Sequence, residues 1–239
     1  MDCIVINLDR HEKRWERIHA ALNALGIPHR RFAAIDGRTI GDRYDALMTS
    51  NAKRFTPYGV LGCALSHKMA LRSFLDSEAT VCLLLEDDAI AAPDARETLE
   101  MLLRQAPEGW DVVKLASKPQ AVGAPLFHPN KHTINACAQL FSRAGAEKVA
   151  AQRIFWPSHA DVTPWFVSGL QVYTVRSDVR TFHQTWNLSS LTSKRYPDYK
   201  LNLKFLRVGV TEFSTGDLLV VAVCATVYFL GFQKKEKAH

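Results

Sequence analysis

Val81-Cys82-Leu83-Leu84-Leu85-Glu86-Asp87-Asp88 runs from five apolar residues straight into three carboxylates. An apolar run of this length with a polar end reads as a buried strand, which sets Glu86, Asp87 and Asp88 at the rim of a sheet. Ligands bind at that rim in open α/β folds. Adjacent acids repel one another unless positive charge lies among them. Hard oxygen donors without nearby cysteine or histidine favour Mg²⁺ or Mn²⁺ over zinc. A solvated acidic turn is the ordinary reading of an arbitrary Glu-Asp-Asp, but the buried lead-in shifts it toward a metal site. In an extended segment Glu86 and Asp88 project to the same side and form the expected ligand pair. Asp87 points the other way, toward a ligand or a structural partner.

Working outward, Ile4 to Leu8 reads as a first strand, and Trp15, Ile18, Leu22 and Leu25 follow at helical spacing until Gly26 and Pro28 stop them. Phe32 to Ile35 predicts a short strand running into the Asp36-Gly37 turn, and residues 38 to 58 are polar and poorly periodic, as in a loop. Ala64, His67, Leu71 and Phe74 share one face of a helix over about 60 to 75. Asp94 and Glu97 form a capping-box pattern ahead of Leu99, Leu102 and Leu103. Asp111 to Leu115 makes another strand. Residues 116 to 133 carry Pro119, Gly123, Pro125 and Pro129 and read as an irregular loop able to cover a site. Ser142 caps a helix over 143 to 152, and Gly169 to Val175 is a late strand. Alternating strands and helices through about residue 150 predict an α/β architecture with a mainly parallel central sheet flanked by helices.

The 239 residues, 47% hydrophobic, suffice for one large domain or a domain with a tail. With 30 Lys+Arg against 24 Asp+Glu the net charge of +6 suits an anionic small molecule or membrane surface. There is no arginine-rich helix or aromatic-basic RNA motif, so nucleic acid is not an expected partner. Cys3, Cys63, Cys82, Cys137 and Cys224 are scattered and mostly within apolar runs. They read as buried thiols in a reducing compartment, not as a disulfide or zinc framework. With no basic n-region or apolar h-region ahead of Ile4, a secretory signal is not expected.

The expected domains are residues 1 to 185 and a C-terminal segment, 186 to 239. Lys194, Arg195, Lys200, Lys204 and Arg207 are interleaved with Tyr196, Tyr199, Leu203, Phe205 and Leu206, as in a membrane-surface segment. Leu218 to Phe232 is almost wholly apolar, but its roughly 22 Å as a helix falls short of the roughly 30 Å hydrocarbon core. It is either a last core element of the domain or a peripheral membrane attachment.

Ile4-Val5-Ile6-Asn7-Leu8-Asp9-Arg10 with Arg14, Ala34-Ile35-Asp36-Gly37, Gly62-Cys63-Ala64-Leu65-Ser66-His67 and Leu84-Leu85-Glu86-Asp87-Asp88 together resemble glycosyltransferase family 25. Members of that family include bacterial lipooligosaccharide galactosyltransferases. The likeness continues through Trp110-Asp111-Val112-Val113-Lys114-Leu115 and Phe141 to Lys148, and more weakly through Asp161 to Val175. It implies a GT-A-like fold and transfer of a hexose, typically galactose from UDP-galactose, to a saccharide on a lipid-linked glycan. The transfer would take place at the cytoplasmic, inner face of the bacterial inner membrane. Gln139 stands where the family usually has an aromatic residue, and nothing after about residue 185 matches.

Such a transfer needs its departing diphosphate neutralised, which Mn²⁺ or Mg²⁺ on Glu86 and Asp88 would do. An inverting reaction also needs a base at the acceptor hydroxyl, and Asp161, four residues before Trp165, is the candidate. Asn7, Arg10 and Arg14 follow the first strand, where donor phosphate or uridine is expected, and the resemblance adds Asp36, Ser66, His67 and Asp87 to the donor side. On an apolar helix face His67 is as readily a core histidine, and surface arginines are commonly just solvated. His183 is a lone histidine and is not counted as a ligand. A catalytically silent, membrane-associated glycan-binding protein of the same fold is the alternative. A Mg²⁺-dependent phosphatase or nuclease ranks last, for want of a nucleophile motif.

Overall fold

The computed structural model describes residues 1–115, 125–129, 135–155, 160, 167–176, 178–179 and 181–184. The chain divides into two compact units, Met1–Ser190 and Leu191–His239, and every described residue belongs to the first.

Strand β1 (Asp2–Asn7) leads through a tight turn into helix α1 (Glu12–Ala24). That helix ends at Gly26, whose φ of 62° only glycine adopts without strain. After β2 (Arg30–Ala33) the chain makes two 3-10 turns, Gly37–Thr39 and Asp42–Leu47, then the short α2 (Ser50–Phe55) and the long α3 (Tyr58–Leu75). The stretch 38 to 58 is therefore ordered structure and not the loop its composition suggests. Thr49 caps α2 by accepting from the Ala52 amide at 3.2 Å. Then come β3 (Val81–Glu86), β4 (Ala89–Ala91), α4 (Ala95–Gln105), β5 (Val112–Lys114), β6 (Phe127–Pro129), β7 (Ala138–Ser142), α5 (Arg143–Ala151), β8 (Val172–Val175) and β9 (Phe182–Gln184).

Among the described residues seven strands form one sheet in the order β2-β1-β3-β7-β5-β8-β6, and β4 pairs with β9 in a separate ribbon. Strands β2, β1, β3, β5 and β8 run the same way, while β7 and β6 oppose them, so the sheet is mixed but mainly parallel in direction. Helices cover both faces, as an α/β architecture requires.

Side-chain alternation divides the core. Cys3, Val5, Leu83 and Leu85 pack with Ile18 and Leu22 of α1 and Leu99 and Leu102 of α4. Ile4, Ile6, Cys82 and Leu84 face Leu71 and Phe74 of α3 and Ala146 and Val149 of α5. All four β3 residues from Cys82 to Leu85 are fully buried, as their unbroken apolar run predicts.

Some expectations are corrected. Asp94 precedes α4, but its side chain makes no capping bond, so the capping box is not formed. Ser142 does cap α5, accepting from the Gly145 amide at 3.0 Å. Within the proline-rich stretch 116 to 133, Phe127–Pro129 is a strand paired with β8, and residues 116–124 and 130–133 lie outside the described residues. The basic segment 194 to 207 and the apolar segment 218 to 232 also lie outside them. Among the described residues no helix is long and apolar enough to cross a membrane.

Candidate active site

The period of two that sorts the core also sorts the acids at the end of β3. Glu86 continues the face of Cys82 and Leu84 and meets α3. His67 Nε2 lies 2.9 Å from its Oε1, and the Cys63 thiol reaches the same oxygen at 3.8 Å. Asp87 continues the face of Leu83 and Leu85 and meets α1. The Arg14 guanidinium donates to its Oδ1 at 3.1 Å, the Asn7 amide to its Oδ2 at 2.7 Å, and Arg17 to its backbone carbonyl at 2.8 Å.

Asp88 sits in the turn between β3 and β4, only 4% exposed. Its Oδ2 accepts from the Gln184 amide at 3.0 Å, because the β4–β9 ribbon sets Gln184 opposite Ala89. Burial, and secondly the charge of Glu86, push its carboxyl up to about 7, against the opposing pull of the Gln184 hydrogen bond. The neighbouring His183 points outward to solvent.

The other expected donor residues have identifiable structural partners. Asn7 is 1% exposed and bridges Asp87 to the first turn of α1, donating also to the His11 carbonyl at 3.1 Å, while its own oxygen accepts from Arg31 at 2.8 Å. Arg10 pairs with Asp36. Asp36 caps the Gly37–Thr39 turn by accepting from the Arg38 amide, and the Arg38 side chain beside it is the main reason its carboxyl is held down at about 2. Ser66 is buried, accepts from the Ile35 amide at 2.8 Å and donates to the Gly62 carbonyl at 2.6 Å. It ties the chain after β2 to α3.

That junction tolerates no side chain. A Cβ on Gly62 would lie 2.6 Å from the Ile35 carbonyl oxygen, and one on Gly37 1.9 Å from that of Tyr58. The segments Ala34-Ile35-Asp36-Gly37 and Gly62 to His67 are thus two sides of one contact. Similarly, Asp111 and Lys148, from two other segments quoted above, form an ion pair at 2.7 Å. Asp161 and Trp165 lie outside the described residues.

Sequence reasoning missed three contributors to this region. Gln184 is 96 positions from Asp88, and no local signal announces it. Arg17 lies one helical turn beyond Arg14. Cys63 stands four residues before His67 on one helix face, a spacing that was legible. Gln139, the departure from the family pattern, is 1% exposed and donates to the Asn135 carbonyl at 3.2 Å, in register with Leu84.

The sequence profile of glycosyltransferase family 25 (LPS biosynthesis protein) matches residues 1–152. The chain belongs to that family. Over 127 residues it is 28% identical to a "Glycosyltransferase 25 family member" of Aedes aegypti, a match covering 48% of this chain and 21% of that protein. It thus spans about a fifth of the length of that curated relative. Among solved structures it is similar in outline to a glycosyltransferase involved in glycosylating the major capsid of PBCV-1. That likeness has 10% identity and a TM-score of 0.47, over 79% of this chain and 93% of the other. It is also similar to a Drosophila β-1,4-galactosyltransferase 7 mutant in complex with manganese, UDP-Gal and xylobiose, at 14% identity and a TM-score of 0.45, over 89% and 81%. The five co-directed strands and the helices on both faces give the chain the α/β class with a mainly parallel central sheet that was expected.

Proposed function

We propose that this chain transfers a hexose, galactose from UDP-galactose in the first instance, to a lipooligosaccharide or related glycan with the aid of Mn²⁺ or Mg²⁺. The observation that carries the reading is Asp88: a buried carboxyl beside Glu86 at the rim of a mainly parallel sheet in a family 25 chain. Glu86 and Asp88 are the residues that would hold a divalent cation, whose charge would offset both the burial and the repulsion that raise Asp88. When bound, such an ion supplies charge neutralisation for a departing diphosphate.

The chain's own residues do the rest. Asp87 is committed to Arg14 and Asn7, which fixes the turn and so the aim of Asp88. Gln184 orients the Asp88 carboxylate. Arg10 and the Asp36 turn border the end of β1, where backbone and guanidinium donors suit an anionic donor. Asp161 is the proposed base that takes the acceptor proton in an inverting transfer. The segment after residue 185 is proposed to hold the protein at the inner face of the membrane, where lipid-linked acceptors are assembled.

Purified full-length protein incubated with a panel of UDP-sugars, Mn²⁺ and a lipooligosaccharide acceptor should release UDP, most rapidly with UDP-galactose, and EDTA should abolish the release. UDP release at the level of buffer across the whole panel overturns the reading.

A further inference from the structure

The preference for Mg²⁺ or Mn²⁺ over zinc rested on an acid cluster with no cysteine or histidine nearby, and the fold removes that premise for Glu86. Cys63 and His67, one turn apart on α3, bring a thiol and an imidazole to a single carboxylate oxygen, and the three ligand atoms all lie within 4.8 Å of one another. Tetrahedral zinc with Zn–S of about 2.3 Å and Zn–N or Zn–O of about 2.0 Å separates its ligand atoms by roughly 3.3–3.5 Å. The observed 2.9 Å from His67 to Glu86 and 3.8 Å from Cys63 to Glu86 bracket that separation.

Cys63 is also the accessible thiol among the described cysteines. Cys3, Cys82 and Cys137 are buried in the core, and burial pushes the Cys3 thiol up to about 12 and Cys82 higher still. Cys63 is half-buried, on the helix face that meets Glu86.

We propose that Cys63, His67 and Glu86 form a second cation site, selective for a thiophilic divalent ion, with Zn²⁺ the first candidate. Binding displaces the Cys63 proton to solvent and the proton held between His67 Nε2 and Glu86 Oε1 to Nδ1 or to solvent, so that two metal–ligand bonds replace that hydrogen bond. A thiolate, imidazole and carboxylate set holds Zn²⁺ in preference to Mn²⁺ or Mg²⁺. Three protein ligands leave a fourth position open. Resting on the proposed function, the consequence is regulatory: the two sites share Glu86, so Zn²⁺ at this one draws the carboxylate from Asp88 and inhibits transfer in competition with Mn²⁺.

The probe is Co²⁺, whose tetrahedral thiolate complexes absorb in the near ultraviolet. It is titrated into reduced full-length protein carrying Cys224→Ser, so that the cysteine outside the described residues contributes nothing. One equivalent should produce a thiolate-to-cobalt band that Zn²⁺ displaces and a large excess of Mg²⁺ does not. Cys63→Ser should abolish the band. His67→Ala should weaken binding at least as much as the roughly 10- to 100-fold seen when an outer-shell partner of a metal site is lost. Asp88→Asn should retain it. Absence of the band, its survival in Cys63→Ser, or its loss in Asp88→Asn overturns the proposal. If Cys63→Ser does not fold, alkylation of Cys63 by iodoacetamide gives the same information: protection by Zn²⁺ supports the site, and unchanged labelling overturns it. These readouts do not depend on turnover, so a protein that binds Co²⁺ through Cys63 but releases no UDP refutes the proposed function and leaves the cation site standing.

Discussion

Arg14 in the first turns of α1 and Asp87 at the end of β3 meet at 3.1 Å across the top of the sheet, 73 residues apart. This ion pair takes the middle acid of the Glu86-Asp87-Asp88 triplet to the α1 face, while Glu86 meets α3 and Asp88 turns toward Gln184. The triplet is thus three different environments within three residues. Its members answer differently to substitution.

Asp88→Asn removes one of the two proposed cation-binding carboxylates at nearly constant volume. Turnover with a UDP-sugar at saturating Mn²⁺ should fall by about two orders of magnitude or more with the far-ultraviolet dichroism unchanged. Turnover equal to the wild type rules Asp88 out as a ligand.

Asp87→Ala removes the acceptor of the Arg14 guanidinium and one of the two acceptors of the Asn7 amide, in a site where Asp87 is 7% exposed. The loss should appear as stability, about 2–4 kcal/mol in urea unfolding. A midpoint within error of the wild type means the ion pair is not structural.

The metal-free protein should become less stable as pH rises from about 4 to about 7. Asp88 titrates near 7 when folded and near 3.9 when unfolded, so between these values the folded state holds a proton that the unfolded state has lost. Asp36, held down at about 2, acts the opposite way but only below about pH 4. Unfolding midpoints at pH 5, 6.5 and 8 test this. The wild type should lose on the order of a few kcal/mol across the series relative to Asp88→Asn, and parallel profiles for the two proteins would contradict it.

Gly62→Ala forces a methyl group against the Ile35 carbonyl at 2.6 Å, with backbone rather than a yielding side chain as the obstacle. It should cost about 1–3 kcal/mol in thermal or urea unfolding. Gly41→Ala, where a Cβ meets nothing within 4 Å, serves as its neutral control. Equal stability of the two variants would mean that the α3 junction relaxes freely.

Much of the core was legible because the strands that carry it are long or unbroken. Cys3 to Ile6 of β1 and Cys82 to Leu85 of β3 announce burial, and the spacing of Ile18, Leu22 and Leu25 or of Leu71 and Phe74 announces helices. Three-residue strands such as β4, β6 and β9 carry too few positions to show a period of two. The failed cap at Asp94 shows that residue type and spacing propose a capping box without fixing its geometry.

The sequence by itself determined that an apolar strand delivers three acids to a sheet rim, and that Glu86 and Asp87 leave it on opposite sides. Both follow from local chemistry and the two-residue repeat of an extended chain. Tertiary structure alone decided what each acid meets: Arg14 for Asp87, Cys63 and His67 for Glu86, Gln184 for Asp88. It also decided that antiparallel β7 enters between β3 and β5. These partners come from 19 to 96 residues away. Contacts over such separations form only when the whole sheet and its covering helices bury their apolar faces together, and a local pattern carries no record of that.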